Sequence, residues 1–360
     1  MDEPGVLRRL SGRERAGRFG ATFGLRVPIL QAPVAVASPP ALAAAVAAAG
    51  GLGGIGGMRD DAASIRGRVA AFRALSNGTF QLSLGIMEPA PPPDPAIDAT
   101  VRATLGRIAG ADGPTPDAIE NAPDFDAQVE ALLDLAPPIA SCVLGVFQST
   151  VATRLKARGI PWFAAATTVA EARLVEASGA AAVVAQGFEA GGIRSSHQAA
   201  AAGDQLVGLF ALLPQVADAV SIPVIAAGGI MDGRGIAAAL TLGASAVQLG
   251  TALLRTPEAA ISPGWMAALS DARAEDMVLN RAATGRVSRN RRSPLTDVFI
   301  DAPTAPFPRQ WALGDAARKA HPAAAALTAA SGGQGVALGR SLPAGKLVRL
   351  LWAEATTLLP

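Results

Sequence analysis

The chain has 360 residues, 50% hydrophobic and 17% charged, with 39 glycines, 27 prolines, one cysteine, two histidines and no tyrosine. That composition excludes a disordered chain, which needs low hydrophobicity and a large charge imbalance, and a disulfide scaffold, which needs many cysteines. Lys and Arg number 31 against 29 Asp and Glu, so the sequence pI of about 9.2 reflects a shortage of groups titrating between pH 7 and 9, and neither nucleic acid nor an acidic membrane is implied as a partner.

Met1 to Gly20 mixes Asp2, Glu3, Arg8, Arg9, Arg13, Glu14, Arg15 and Arg18 with no apolar stretch. No secretory signal is read there, and a cytoplasmic protein is expected. A repeated unit follows, in which a short apolar run ends in small residues and leads into an amphipathic or alanine-rich stretch. The runs are Pro28 to Val34, Leu52 to Gly56, Phe80 to Met87, Ile139 to Phe147, Pro161 to Ala166, Ala181 to Gly187, Ile222 to Gly228 and Ser245 to Gly250. Most are continuously apolar, as strands covered on both faces are, and this predicts parallel pairing through helical crossovers. The uncharged stretch Ala41 to Met58 reads as a helix running into a strand and not as a bilayer span. Its helix is expected over Ala41 to Ala49, with Ser38 as N-cap, Pro39 and Pro40 at the start and Gly50 at the end. Thr168 to Ser178 and Asp232 to Leu242 follow the same logic. Cys142, in an apolar run, is expected as a small buried hydrophobe.

Eight strands alternating with helices can close as a barrel or lie open as a doubly wound sheet. The strand count favours closure. So does the course of Gly50, Gly51, Gly53, Gly54, Gly56 and Gly57 through the second strand, because a dinucleotide fingerprint would link a strand to a helix. The expected class is therefore α/β, a (β/α)8 TIM barrel over residues 1–255, with a C-terminal helical extension over 256–360. A Pro- and Asp-rich excursion at 88–123 carries one helix near Asp98 to Ile108. The extension is expected to form helices around Trp311 to Ala330 and Leu342 to Thr357, either as a lid or packed outside the barrel. Its Arg281, Arg286, Arg289, Arg291 and Arg292 read first as a solvated surface and second as an anion contact. His321, before Pro322, is expected to be structural.

Active sites of such barrels lie at the carboxyl ends of the strands, with a phosphate commonly held by the last two loops. Strand seven ends in Gly228 and Gly229 ahead of a helix beginning near Gly233, and strand eight ends in Gly250 and Thr251. Glycines let backbone amides approach a phosphate, and a helix N-terminus behind them favours negative charge, so the pair of loops points to a phosphorylated ligand. The loop after strand six, "VVAQGFEAGGIRSSH", brings Gln186, Glu189, Gly191 and Gly192 to the same face, with His197 either lining the site or solvated. No metal site is expected.

The segments "PILQAPVAVAS", "AAGGLGGIGG", "VVAQGFEAGG", "LLPQVADAVSIPVIAAGGIMDGRGIAAALTLGASAVQLGT" and "SGGQGVALGRSLPAGKLVRLL" together resemble the nitronate monooxygenase family, formerly 2-nitropropane dioxygenases, over Pro28 to Leu350. The resemblance implies an FMN-binding TIM barrel acting on a small molecule with O2. It implies that Ala32, Pro33 and Val34 pass beneath the flavin ring and that Gln186 hydrogen-bonds it. Gly191 and Gly192 would flank the flavin, while Ala227, Gly228, Gly229, Gln248, Gly250 and Thr251 would hold the ribityl phosphate. The family commonly reads E-A-G-G-H-R-G, its histidine taking a proton from substrate carbon. Here Ile193 stands at that position and Ser195 replaces a glycine, and the family's Q-A-P-M is Q-A-P-V at Val34. Isoleucine exchanges no proton. His197, four residues on, is the candidate replacement.

Three readings follow. The leading one is a nitronate monooxygenase that oxidises pre-formed nitronate anions, which need no base. The alternatives are an NAD(P)H-dependent FMN reductase of quinones or enoyl thioesters, and a catalytically degraded FMN-binding protein. Monomer and homodimer both remain open.

Overall fold

A computed structural model describes residues 6–34, 37–89, 91–118 and 122–359. Strands β1 (Ile29–Gln31), β2 (Gly53–Gly56), β3 (Phe80–Gly85), β4 (Ile139–Val143), β5 (Trp162–Ala166) and β6 (Ala182–Gln186) are followed by a two-residue β7 (Gly192–Ile193), then β8 (Val224–Ala227) and β9 (Ala246–Leu249). All except β7 form one parallel sheet in the order β1-β9-β8-β6-β5-β4-β3-β2. A parallel bridge between Leu30 and Leu52 joins its two edges, with the Gln31 amide donating to the Leu52 carbonyl at 2.9 Å. The sheet is thus a closed (β/α)8 barrel, and each apolar run expected from the sequence contains one of its strands.

The glycine-rich β2 is explained by close approach on both faces. A Cβ on Gly53 would lie 2.6 Å from the Ala43 carbonyl oxygen of the helix Pro40–Ala48, and one on Gly54 would lie 2.5 Å from the Gln31 carbonyl oxygen. Strand and helix therefore pack backbone to backbone. The helix start differs from expectation by one residue. Pro39 is the N-cap, and the Ser38 hydroxyl donates instead to the Ala32 carbonyl at 3.3 Å, bracing the loop after β1. The other two expected helices form over Val169–Ala177 and Gly233–Thr241. Cys142 is buried, and burial pushes its thiol pKa up, so it stays protonated.

The C-terminal extension is not wholly helical. β10 (Met277–Asn280) and β11 (Ser288–Arg291) pair antiparallel, and β11 continues onto β7 with Ser288 opposite Ile193. An arginine-rich run such as β11 lacks the apolar alternation by which a strand is read from sequence. Of the two expected helices, one stops at Ala320, two residues before Pro322, and the other spans Ala344–Leu358. The first packs on the excursion's helix, Pro95–Ala109, around Val101, Leu105, Leu295, Phe299 and Leu313. An Asp98–Arg309 ion pair and the His321 Nε2–H donating to the Asp112 carbonyl at 2.8 Å bind the two segments further. No helix of the described residues is long and apolar enough to cross a membrane.

The solvated reading of the arginine cluster is overturned at its two central members. Arg286 and Arg289 are 2% and 3% exposed. Arg286 donates to the Ser196 carbonyl at 2.7 Å and lies 3.5 Å from the Glu88 carboxylate. Arg289 donates to the carbonyls of Phe188 at 2.7 Å and Met277 at 2.6 Å, its guanidinium 5.2 Å over the Phe188 ring. Burial lowers both pKa values. A guanidinium offers five donors in a planar fork, so it can be buried where loop carbonyls accept them. Arg292 does lie at the surface, 58% exposed.

Candidate active site

Ala32, Val34, Gln186, Gly191, Gly192, Ala227, Gly228, Gly229, Gln248, Gly250 and Thr251 all line a single cleft at the carboxyl ends of β1, β6, β8 and β9. It encloses about 690 Å³ counted to its open mouth. Pro33 alone among the expected cofactor residues is not in its wall. It turns against β2, its nitrogen 3.3 Å from where a Cβ on Gly54 would sit.

The amides of Gly228, Gly229, Gly250 and Thr251 donate to no partner among the described residues. Gly228 and Gly229 have φ of +116° and +69°, which turns the chain sharply beyond β8 and is open to glycine at little cost. Unpartnered backbone amides in a cleft wall are groups that can hold an anion. The helix behind them does not contribute, contrary to expectation. Asp232 caps it by accepting from the amides of Arg234 and Gly235 at 3.0 and 3.2 Å, and Glu354 accepts from Gly233 at 3.1 Å. Two carboxylates already occupy that N-terminus, which leaves only the loop amides without partners.

A further wall, missed from the sequence, is the loop Ser331 to Gly335. The Gly333 amide donates to Thr251 Oγ1 at 2.8 Å, and the Gln334 amide to the Glu189 carbonyl at 2.9 Å. A Cβ on Gly191 would stand 2.4 Å from the carbonyl carbon of Gly332, so the two glycine loops touch backbone to backbone. Trp265 joins them, its Nε1–H donating to the Ser331 carbonyl at 2.9 Å. The run "SGGQG" was the available signal, since consecutive glycines there have no turn between strands to serve.

Gln186 is held at both ends of its amide. Oε1 accepts from the Ser195 amide at 2.8 Å, and Nε2 donates to the Ile193 carbonyl at 3.3 Å and Ser195 Oγ at 3.2 Å. His197 lies outside the cleft wall. Its Nε2 is 2.8 Å from the Ala165 carbonyl, which can only accept, so Nε2 carries the hydrogen, and Nδ1 is buried without a partner. Glu171 ties the same loop down, accepting from the His197 amide at 2.7 Å, Ser196 Oγ at 3.1 Å and the Thr167 amide at 2.6 Å. Burial pushes the Glu171 pKa up, but the hydrogen bonds from Thr167 and His197 outweigh it and leave the carboxyl below its ordinary value. No described residue lining the cleft bears a carboxylate, amine, guanidinium, imidazole or thiol.

The family model for nitronate monooxygenase matches residues 18–354. The chain belongs to the nitronate monooxygenase family. It is 40% identical over 343 residues to a nitronate monooxygenase of Paraburkholderia phytofirmans, covering 92% of this chain and 93% of that one. It is 38% identical over 350 residues to a nitronate monooxygenase of Pseudomonas aeruginosa, covering 94% and 98%. Among solved structures, the nitroalkane oxidase of Streptomyces ansochromogenes matches with a TM-score of 0.85 at 37% identity, covering 94% of this chain and 98% of that one. The nitronate monooxygenase family is one of flavin-dependent oxidoreductases, and this chain is an oxidoreductase of that family.

Proposed function

We propose that the protein is an FMN-dependent monooxygenase that oxidises alkyl nitronates with dioxygen, taking the substrate as the anion. The observation that carries this reading is a cleft wall with no ionisable side chain among its described residues. Nothing in that wall can take a proton from the carbon of a neutral nitroalkane, and a nitronate has already lost it. Ile193, where the family commonly has histidine, fits the same reading.

The residues present fit FMN. The unpartnered amides of Gly228, Gly229, Gly250 and Thr251 would hold its phosphate, and Gly191, Gly192, Ala32 and Val34 leave a slot without long side chains for a flat ring. Bound FMN supplies the electron-accepting chemistry, which no side chain provides. The chain's share is position and exclusion of water. Met231 and Leu254, both buried, and Trp265 narrow the cleft beside Ser331 to Gly335. His197, anchored on β5, holds the loop that carries Gly191 to Ser195 in place.

The test is oxygen uptake by the FMN-loaded protein. Propyl-2-nitronate should be consumed and neutral 2-nitropropane should not. Equal turnover of the two, or a purified protein that takes up no FMN, overturns the reading. Ile193→His is expected to raise uptake with 2-nitropropane by roughly 10²-fold, the usual contribution of a placed general base.

A further inference from the structure

Beneath the cleft, the side chains of Gln81 on β3 and Gln248 on β9 meet inside the barrel, and Gln81 also reaches the backbone of Gln31 at the end of β1. Gln31 and Gln81 are each 1% exposed, while Gln248 lines the cleft. They can meet because the inward positions of β2 are Gly54 and Gly56, so the Gln81 side chain reaches past that strand to β1. Backbone groups fix which end of each amide is which. The Gly54 amide donates to Gln31 Oε1 at 3.1 Å. Gln81 Nε2 lies 3.0 Å from the Gln31 backbone carbonyl, which can only accept, so this end must be the nitrogen. Its second hydrogen points to the Gln248 amide at 3.2 Å, and the atom that receives it must be Oε1. Gln248 therefore keeps only its Nε2–H2 group unengaged.

We propose that Gln81 is a positioning residue. By occupying the Gln248 carbonyl it fixes Gln248 as a hydrogen-bond donor to an acceptor atom of the flavin, without touching the flavin itself. This rests on the reading of the cleft as an FMN site. Without Gln81, the Gln248 amide is free to turn over and present its oxygen to an acceptor-rich ligand, which then loses one hydrogen bond and faces a repulsive dipole.

The test measures FMN dissociation from the holoenzyme on dilution, as recovery of free-flavin fluorescence. Gln81→Leu is expected to weaken FMN binding about tenfold, the scale of one lost hydrogen bond. In a Gln248→Leu background the same change should add no further loss, because the residue it positions is gone. The near-isosteric Gln81→Glu gives a second readout that a packing role would not move. On the alkaline side of the introduced carboxyl's pKa the side chain only accepts, so FMN binding relative to wild type at the same pH should fall. On the acid side its O–H donates to Gln248 again and binding should recover. This variant also carries the test if Gln81→Leu fails to fold. Unchanged FMN affinity in both variants overturns the proposal, as do losses that multiply in the double variant or a Gln81→Glu defect independent of pH. A wild-type protein that holds no FMN overturns the cofactor reading instead.

Discussion

The cleft at the ends of β1, β6, β8 and β9 is walled largely by backbone, whereas the segment packed against the ends of β2 and β3 and over the loop after β6 is held by side chains. In the cleft, Gly191 meets Gly332, Gly228 and Gly229 turn with positive φ, and four wall residues keep amides without a partner among the described residues. In the covering segment, Arg286 and Arg289 reach loop carbonyls from within, and Arg309 pairs with Asp98. The difference teaches how each part tolerates change. A backbone wall has no side chain to shorten and fails when one is added, while an arginine-pinned cover fails when a donor is removed.

Breaking the first kind of wall should give the largest effect. Gly191→Leu must displace the Ser331 to Gly335 loop, since even its Cβ would overlap Gly332. It is expected to weaken FMN binding by more than about 10²-fold, measured by flavin content after gel filtration, with the far-ultraviolet circular dichroism of the barrel retained. Breaking the second kind should act on stability first. Arg286→Leu leaves the Ser196 carbonyl without its donor, while the half-exposed Glu88 stays solvated, and should cost about 1–3 kcal/mol in urea unfolding. An equal loss of FMN affinity in both variants would erase the distinction between the two regions.

Two smaller effects sharpen the comparison at the loop where the regions meet. His197→Ala should lower kcat with nitronates by less than about tenfold, as for a loop anchor; a drop of roughly 10²-fold or more would make it the base. Glu171 supplies a pH signature. Its folded pKa is depressed, so its contribution to stability is present above its ordinary value of 4.5 and is lost as pH falls through the lower folded value. Acid unfolding followed by intrinsic fluorescence should show the wild type losing an advantage over Glu171→Gln below pH 4.5, with the gap fully open at neutral pH. A gap independent of pH contradicts an ionised Glu171 clamp.

Legibility in the sequence followed the same division. The eight strands were readable because strands buried on both faces are continuous apolar runs, and the two glycine loops that line the cleft because glycine is the residue a close backbone approach requires. The Ser331 to Gly335 wall carried that glycine signal too, but only contact with Gly191 gives it a role, and that contact spans the whole C-terminal segment. Arg286, Arg289 and β11 were misread for a physical reason. Charge in a sequence predicts solvent unless the acceptors are known, and these acceptors are carbonyls of Ser196, Phe188 and Met277, two of them far away in the chain. The Gln81–Gln248 pair and its tie to the Gln31 backbone were invisible because β3, β9 and β1 come together only in the closed barrel.

Electrons are expected to enter this cleft from a nitronate. Anaerobic mixing of the FMN-loaded protein with propyl-2-nitronate, followed by flavin absorbance, tests it most directly. Bleaching by the nitronate within seconds, with NADH and NADPH leaving the spectrum unchanged, is the predicted result. Rapid bleaching by NADH or NADPH with no response to the nitronate would contradict the account and make the protein a reductase.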